Sequence, residues 1–432
     1  MRTVFRTSIL IAFFSIFGRA QTPLTLTLEQ AVDMALAQNR QISLATDGVD
    51  FAKQQVREAK SALYPQINGF AGYTRNIKSP VFFSNIAPEP IRIGENNAMA
   101  VGFSVQQPIW LGGKVFTARE IATLTLENAR EELQLTRENI VLEVTKTFYS
   151  VVLMQEILKV SEETLASAQS NFRNIVLLKR EGVASEFDSL RARVRVSELE
   201  PEVIRARSNV ETVSNALKFL LNINLEQPVE IRHNWQVLPP AFPEDEKQLA
   251  LSNRRELSTL NRQREILVKV KKIERAEYLP SLYGSFNWQT QAQSADFDIQ
   301  SNEKATTIDA GLSLSVPLFN GFRTSARVQQ AQIDITRIDR QIAMLSENIL
   351  MEVENNRLRV QEAQQRVNAQ SESVVQAEKT LDIAKVRFRN GLSTQVELND
   401  AETALARTRL SQLNAVYDFL IAKADYEKAI GR

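Results

Sequence analysis

Glu397 and Asp400 are the first candidates for chemistry in this 432-residue chain: two carboxylates three apart, which a helix sets on one face. Paired carboxylates can do acid–base work, but two solvated helix carboxylates do not make a glycosidase, whose pair must flank a scissile bond. Other reactive types are nearly missing. There is no cysteine, which excludes disulfides, thiolate metal sites, cysteine nucleophiles and lipid attachment through cysteine, and the single histidine, His233, is too few for a histidine metal cluster. No glycine-rich phosphate loop and no nucleophile elbow occurs. The sequence therefore predicts no enzyme, no cofactor and no metal site. With 52 basic against 51 acidic residues and a formal net charge of +1, nothing in the charge balance favours nucleic acid.

The elements that must position these carboxylates begin after an address. Residues 1–20 carry Arg2 and Arg6, an apolar run over 8–17 and Gly18-Arg19-Ala20, the pattern of a secretory signal peptide. No later stretch approaches the ~18 uninterrupted apolar residues of a spanning helix, so any membrane passage must use β-strands.

The rest of the chain is written twice. Leu63-Tyr64-Pro65 resembles Tyr278-Leu279-Pro280 at an offset of 215; Pro108-Ile109-Trp110-Leu111-Gly112 resembles Pro317-Leu318-Phe319-Asn320-Gly321, and Gly182-Val183-Ala184-Ser185 resembles Gly391-Leu392-Ser393-Thr394, both at 209. The difference of six falls between the first two landmarks, in a hairpin loop. The reading divides the chain into a signal peptide (1–20), a first repeat (21–221), a connector (222–243) holding His233 and Trp235, and a second repeat (244–432). Each repeat runs helix, strand pair, long helical hairpin.

Residues 98–108 and 307–317 alternate with period two, one face apolar and the other small and polar, with polar loops expected over 77–97 and 289–306. Tyr73, Trp110, Trp288 and Phe319 sit where interfacial aromatics of an outer-membrane barrel belong. Residues 114–180 contain neither glycine nor proline and predict a helix of ~100 Å if unbroken. Heptad spacing links Ile140, Val144, Thr147, Val151, Met154, Leu158, Ser161, Leu165, Ala168, Phe172 and Ile175. Its counterpart is Val353, Val360, Val367, Val374, Leu381 and Phe388, with Asn356, Ala363, Gln370, Ala377 and Ala384 between. Gly182 and Gly391 mark turns into returning helices over 185–221 and 394–430. Four strands cannot close a barrel with a lumen, and open edges in lipid strand backbone groups, so strands must be pooled between chains. Two chains would give eight strands with a filled interior, whereas three give twelve around an aqueous passage, and this exclusion predicts a homotrimer.

The paired Leu/Tyr-Pro strand starts, the Pro-Ile/Leu-aromatic-x-Gly strand exits and the Gly-x-x-Ser/Thr hairpin tips together resemble the TolC-type outer-membrane efflux channels over essentially the whole mature chain. The resemblance implies a mostly α fold with a membrane β-barrel: a trimeric 12-stranded barrel, four strands per chain, continued by a long antiparallel coiled-coil α-barrel through the periplasm. It also implies docking to a periplasmic adaptor (membrane fusion protein) and an inner-membrane pump. By the same resemblance, Glu397 and Asp400 line the periplasmic mouth and Asp188 is an entrance-linking gate residue. Ser393 stands where the archetype has arginine, so the partner for an Asp188–arginine lock is missing. Threefold symmetry would make two carboxylate rings in a narrow mouth, favouring cations and opposing full ionisation. Gly182, Val183, Ala184 and Ser185 with Gly391, Leu392, Ser393 and Thr394 are the natural adaptor-contact tips. A periplasmic coiled-coil adaptor or structural rod, the alternative, would share export signal and heptads but gives no reason for two strand pairs.

Overall fold

The structure, a computed structural model, describes residues 24–78, 81–83, 91–92, 94–233, 237, 239–296 and 304–432. The signal peptide, Trp235 and much of the 77–97 loop lie outside these residues. In chain order the elements are β1 (Leu24–Leu26), α1 (Leu28–Gln38), α2 (Arg40–Ser61), β2 (Gln66–Arg75), β3 (Val81–Phe82), β4 (Ile91–Arg92), β5 (Asn97–Trp110), α3 (Lys114–Arg180) and α4 (Glu186–Leu220). There follow β6 (Val229–Ile231), α5 (Glu246–Asn253), α6 (Arg255–Ala276), β7 (Ser281–Ser294), β8 (Lys304–Ser315), α7 (Arg323–Arg389) and α8 (Gln395–Ala429). The chain is mostly helical and divides into two compact units, one from residues 1–40, 140–241 and 358–425, the other from 41–139, 242–357 and 426–432. The long helices α3 and α7 contribute to both.

In the first unit, α1 opens with a capping box: Thr27 Oγ1 accepts from Gln30 N at 3.3 Å, and Gln30 Oε1 accepts from Thr27 N at 3.0 Å. The buried Asn39 amide donates to the Leu220 carbonyl at 2.8 Å, holding the α1 end against the end of α4. A short parallel pair, β1 with β6, was not anticipated by periodicity because three residues carry none. The heptad seam is real packing: Ile140, Val144, Val151, Ala168 and Ile175 are buried, as are Val360, Ala363, Val367, Val374 and Leu381. The buried face of α3 is wider than a strict seam, since Phe148, Val152, Leu153 and Val160 join it.

The second unit holds an antiparallel sheet in the order β2-β5-β7-β8. The sheet is open. Among the described residues the outer edges of β2 and β8 pair with no strand, and one chain forms no closed barrel. The expected loop over 289–306 is corrected: β7 continues to Ser294 and β8 starts at Lys304. These polar residues remain in strands because they keep pairing, with Thr290 opposite Thr306 and their hydroxyls 3.0 Å apart. At the other end β8 stops at Ser315, two residues before Pro317, where its partner β7 begins. The 77–97 loop contains the small β3–β4 pair.

Register fixes the faces. Ile67, Val101, Phe103, Phe286, Trp288, Ile308, Leu312 and Leu314 share one side, where Phe103 stacks on Trp288 at 5.7 Å. The other side is mostly small and polar, with Phe70 and Tyr283 among its residues. Gly102 is required there: a Cβ would run into the Trp288 carbonyl oxygen and come within 2.8 Å of Phe70 Cζ.

Ion pairs set the register of α6 in this unit. Arg255, Arg262 and Lys269, each seven residues on from the last, meet α3 in antiparallel order: Arg255 reaches Glu138 (2.5 Å) and Glu131 (3.0 Å), Arg262 reaches Glu131 (3.5 Å) and Glu127 (3.6 Å), and Lys269 reaches Glu120 (2.8 Å). Partly exposed pairs of this kind stabilise little individually but together favour the observed alignment. Where the connector ends, the buried Glu246 accepts from Tyr426 Oη at 2.5 Å, with Arg357 Nε 3.7 Å away and the Phe242 ring edge-on to Tyr426. Removing the hydroxyl strands a buried carboxylate oxygen, so Tyr426→Phe should cost about 2 kcal/mol. A lowered midpoint in thermal unfolding of detergent-solubilised protein, followed by helical circular dichroism, checks this.

Candidate functional site

The candidate site is the pair of turns closing the long helical hairpins, both within the first unit. At the first, Gly182 has φ of 76°, and the Val183 and Ala184 amides bond back to the Leu178 carbonyl at 2.9 and 3.2 Å. At the second, Gly391 has φ of 70°, and Leu392 N donates to the Arg387 carbonyl at 2.9 Å, while the Arg387 guanidinium donates to the Leu392 carbonyl at 3.1 Å. A left-handed residue is what reverses the chain while satisfying the last carbonyls, and glycine adopts it without strain. Both turns leave an apolar side chain in the open, Val183 and Leu392.

Ser185 and Thr394 then cap the returning helices. The Ser185 cap is closed on both sides: Asp188 N donates to Ser185 Oγ at 3.1 Å, and Asp188 Oδ2 accepts from Ser185 N at 3.1 Å and from Ser185 Oγ at 2.6 Å. Those hydrogen bonds hold the Asp188 carboxyl below the ordinary aspartate range. At the second turn, Glu397 N donates to Thr394 Oγ1 at 3.3 Å. The Glu397 and Asp400 carboxylates are both exposed, on the face of α8 opposite the buried Gln395, Leu398 and Leu405, and neither has a hydrogen bond or ion pair among the described residues. The structure thus brings Glu397 and Asp400 together as free charges and puts Asp188 to work locally.

Beside the second turn lies a cleft of about 700 Å³ between α3, α7 and α8, lined by Asn171, Asn174, Leu178, Lys385, Phe388 and Leu398. Its Leu398 belongs to a buried cluster with Leu381, Ala401 and Leu405, against which its Phe388 packs. Two unbonded polar groups lie at this turn. Gln395, which sequence reasoning passed over, is buried with neither amide atom bonded, and the half-buried Ser393, expected as a tip residue, has an unbonded, buried Oγ. The available signal was Gln395 lying three residues before Leu398, on the buried seam of α8. His233 in the connector is part-buried, 3.7 Å from Glu156, and its burial lowers its pKa. Among the described residues no cluster of histidine, aspartate or glutamate has the grouping of a metal site.

A family model described as "outer membrane efflux protein" matches residues 31–222 and 247–432. The chain belongs to the outer membrane efflux protein family. The family acts in transport and not as an enzyme, and membership places the chain in the outer membrane with an extension into the periplasm. The chain is 25% identical over 423 residues to the cobalt-zinc-cadmium resistance protein CzcC of Cupriavidus metallidurans, covering 94% of this chain and 90% of that one. It is 22% identical over 424 residues to the outer membrane protein TolC of Escherichia coli K12, covering 94% and 82%. The crystal structure of the Campylobacter jejuni CmeC outer membrane channel superposes with a TM-score of 0.79 at 18% identity, covering 94% of this chain and 85% of that one. No helix among the described residues is long and apolar enough to cross a membrane.

The two-sided cap makes Ser185→Ala costly by about 1 kcal/mol at the start of α4. Because the Asp188 pKa is depressed in the fold, its share of that stability is complete above the unfolded aspartate pKa and is lost as pH falls through the lower folded value. Protection of the Asp188 amide, measured against its intrinsic exchange rate, should fall in the variant at neutral pH and in the parent only under that acid condition.

Proposed function

We propose that three copies of the chain pool their sheets into a twelve-stranded barrel in the outer membrane, forming the exit duct of a tripartite efflux or type I secretion system. The observation that carries this reading is the open four-stranded sheet with one apolar face: Ile308, Leu312 and Leu314 are 63%, 74% and 65% exposed in the single chain. A hydrocarbon surround accounts for that face, and pairing β8 of one copy with β2 of the next removes both open edges. Two tandem copies of one unit support the same design. Helices α2 and α6 both have 22 residues, α3 and α7 both 67, and α4 and α8 both 35, and the family matches fall on either side of the connector.

In this assembly the exposed carboxylates of Glu397 and Asp400 line a periplasmic mouth as two rings, favouring cations. Asp188, at the corresponding register of α4, shapes the mouth through its cap. Val183 and Leu392, with the unbonded Ser393 hydroxyl and Gln395 amide, favour a periplasmic adaptor at the tips, since an arriving chain would cover the apolar groups and could satisfy the polar ones. An inner-membrane pump then feeds the duct. A periplasmic rod would leave the apolar face of the sheet unexplained.

The first test is a trimer that dissociates on heating when outer-membrane fractions are run in detergent. A monomer indifferent to detergent would overturn the reading. In planar bilayers, Glu397→Ala combined with Asp400→Ala should lower cation preference and relieve divalent block. Gly391→Trp should abolish adaptor pull-down while leaving the trimer intact, because indole at a left-handed position both strains the turn and fills the contact.

A further inference from the structure

The polar face of the sheet contains a charge that neither the family match nor the helical mouth accounts for. Of the residues in β2, β5, β7 and β8, only Arg75, Lys304 and Asp309 are charged. Arg75 ends β2 and Lys304 begins β8, both at the loop end of the sheet, and by register both belong to the apolar face. Asp309 is different. It lies in the middle of β8, on the polar face.

Pairing places it in a continuous row. Asn68 stands opposite Ser104, Ser104 opposite Asn287, and Asn287 opposite Asp309, so every strand contributes a polar side chain at one level. Asn287 Nδ2 donates to Asp309 Oδ2 at 2.7 Å. The adjoining levels are uncharged: Phe70, Gly102, Gln289 and Thr307 toward the loops, and Gln66, Gln106, Ser285 and Gly311 toward the helices. Gly311 offers no side chain to shield the carboxylate, which is exposed. The amide anchors one oxygen and supplies no compensating cation.

We infer that Asp309 is a charge-selecting residue of the β-barrel passage, a belt that favours cations independently of the carboxylates at the helical mouth. This rests on the trimeric barrel proposed above, in which the belt recurs three times around one lumen. A lipid-embedded wall is a low-dielectric boundary that focuses the field of a fixed charge into the water it encloses. The field reaches about 10 Å at 0.1 M salt but only about 3 Å at 1 M, so the preference is a low-salt property. Permeant anions meet this barrier even when the mouth is open, and no other strand residue of the polar face is charged.

The experiment uses the full-length protein in planar bilayers, in the Glu397→Ala and Asp400→Ala background so that the mouth does not set the selectivity. Under a potassium chloride gradient near 0.1 M, the added Asp309→Asn change should move the reversal potential toward zero, and Asp309→Glu should keep the parental value. Near 1 M salt the two should converge. The natural absence of cysteine allows a second measurement. Asp309→Cys treated with a sulfonate-bearing thiol reagent should regain cation preference, whereas a trimethylammonium reagent should drive it toward anions. Channels of parental conductance whose reversal potential ignores both Asp309→Asn and the charge of the reagent would overturn the inference and leave the barrel standing. Absence of a heat-modifiable trimer and of channels in the parent would overturn both.

Discussion

Backbone hydrogen bonding at the two ends of the four-stranded sheet is the constraint on which the architecture depends. Among the described residues the outer edges of β2 and β8 have no partner strand, and the sheet carries one exposed apolar face. In water such edges can be solvated; in hydrocarbon each unpaired group costs several kcal/mol, so a strand set of this kind is stable there only as part of a closed cylinder. The proposed trimer answers that demand with the fewest distinct contacts, since a single edge-to-edge pairing, repeated, removes every open edge. The same demand explains why strands continue into polar sequence. Thr290, Gln291 and Ala292 remain paired to β8 beyond the apolar stretch because pairing, and not apolarity, keeps the ladder satisfied.

The helical parts solve a different problem. Two 67-residue helices could slide along one another by whole heptads at small hydrophobic cost, because apolar residues recur at every turn of the seam. Ion pairs bias the alignment. Arg255, Arg262 and Lys269 of α6 together reach four glutamates of α3, Glu138, Glu131, Glu127 and Glu120, and Arg409 joins Glu163 of α3 to Glu378 of α7 at 3.1 and 2.9 Å. Each pair is exposed enough that water screens it, so its use is selection of register more than stability. Buried Asn356 in the α7 seam acts in the same sense, since a polar group tolerates fewer alignments than valine does.

Much of this was legible from the sequence because it is periodic or punctuated. The absence of glycine and proline over Lys114–Arg180 predicts one unbroken helix, and one helix forms. Gly182 and Gly391 mark turns at positions where φ is indeed positive. The alternation in β5 and β8 locates the strands and their faces. What was not legible lacks period: β1 and β6 are three residues each, and the polar end of β7 reads as loop until its partner is known. In the candidate site, the tips and the face shared by Glu397 and Asp400 could be read from spacing. The burial of Gln395 depends on what α3 and α7 place against α8, and the capture of Asp188 by Ser185 depends on a rotamer.

That capture bears on how two equivalent turns come to behave differently. Ser185-x-x-Asp188 and Thr394-x-x-Glu397 both fit the pattern in which a hydroxyl caps the third amide and the third side chain reaches back to the cap. The first turn makes both halves of the exchange; at the second, Thr394 accepts from the Glu397 amide while the Glu397 carboxylate stays in solvent. Glutamate at that position has the reach to close the box, so its charge has two available sites, the Thr394 amide or the open face it shares with Asp400. In a symmetric mouth, like charges from neighbouring copies would push each glutamate toward its own cap, and a passing cation would draw it out again. In the proposed mouth the second turn would therefore couple the start of α8 to the occupancy of the opening, and the first, with its shorter and already committed aspartate, would not.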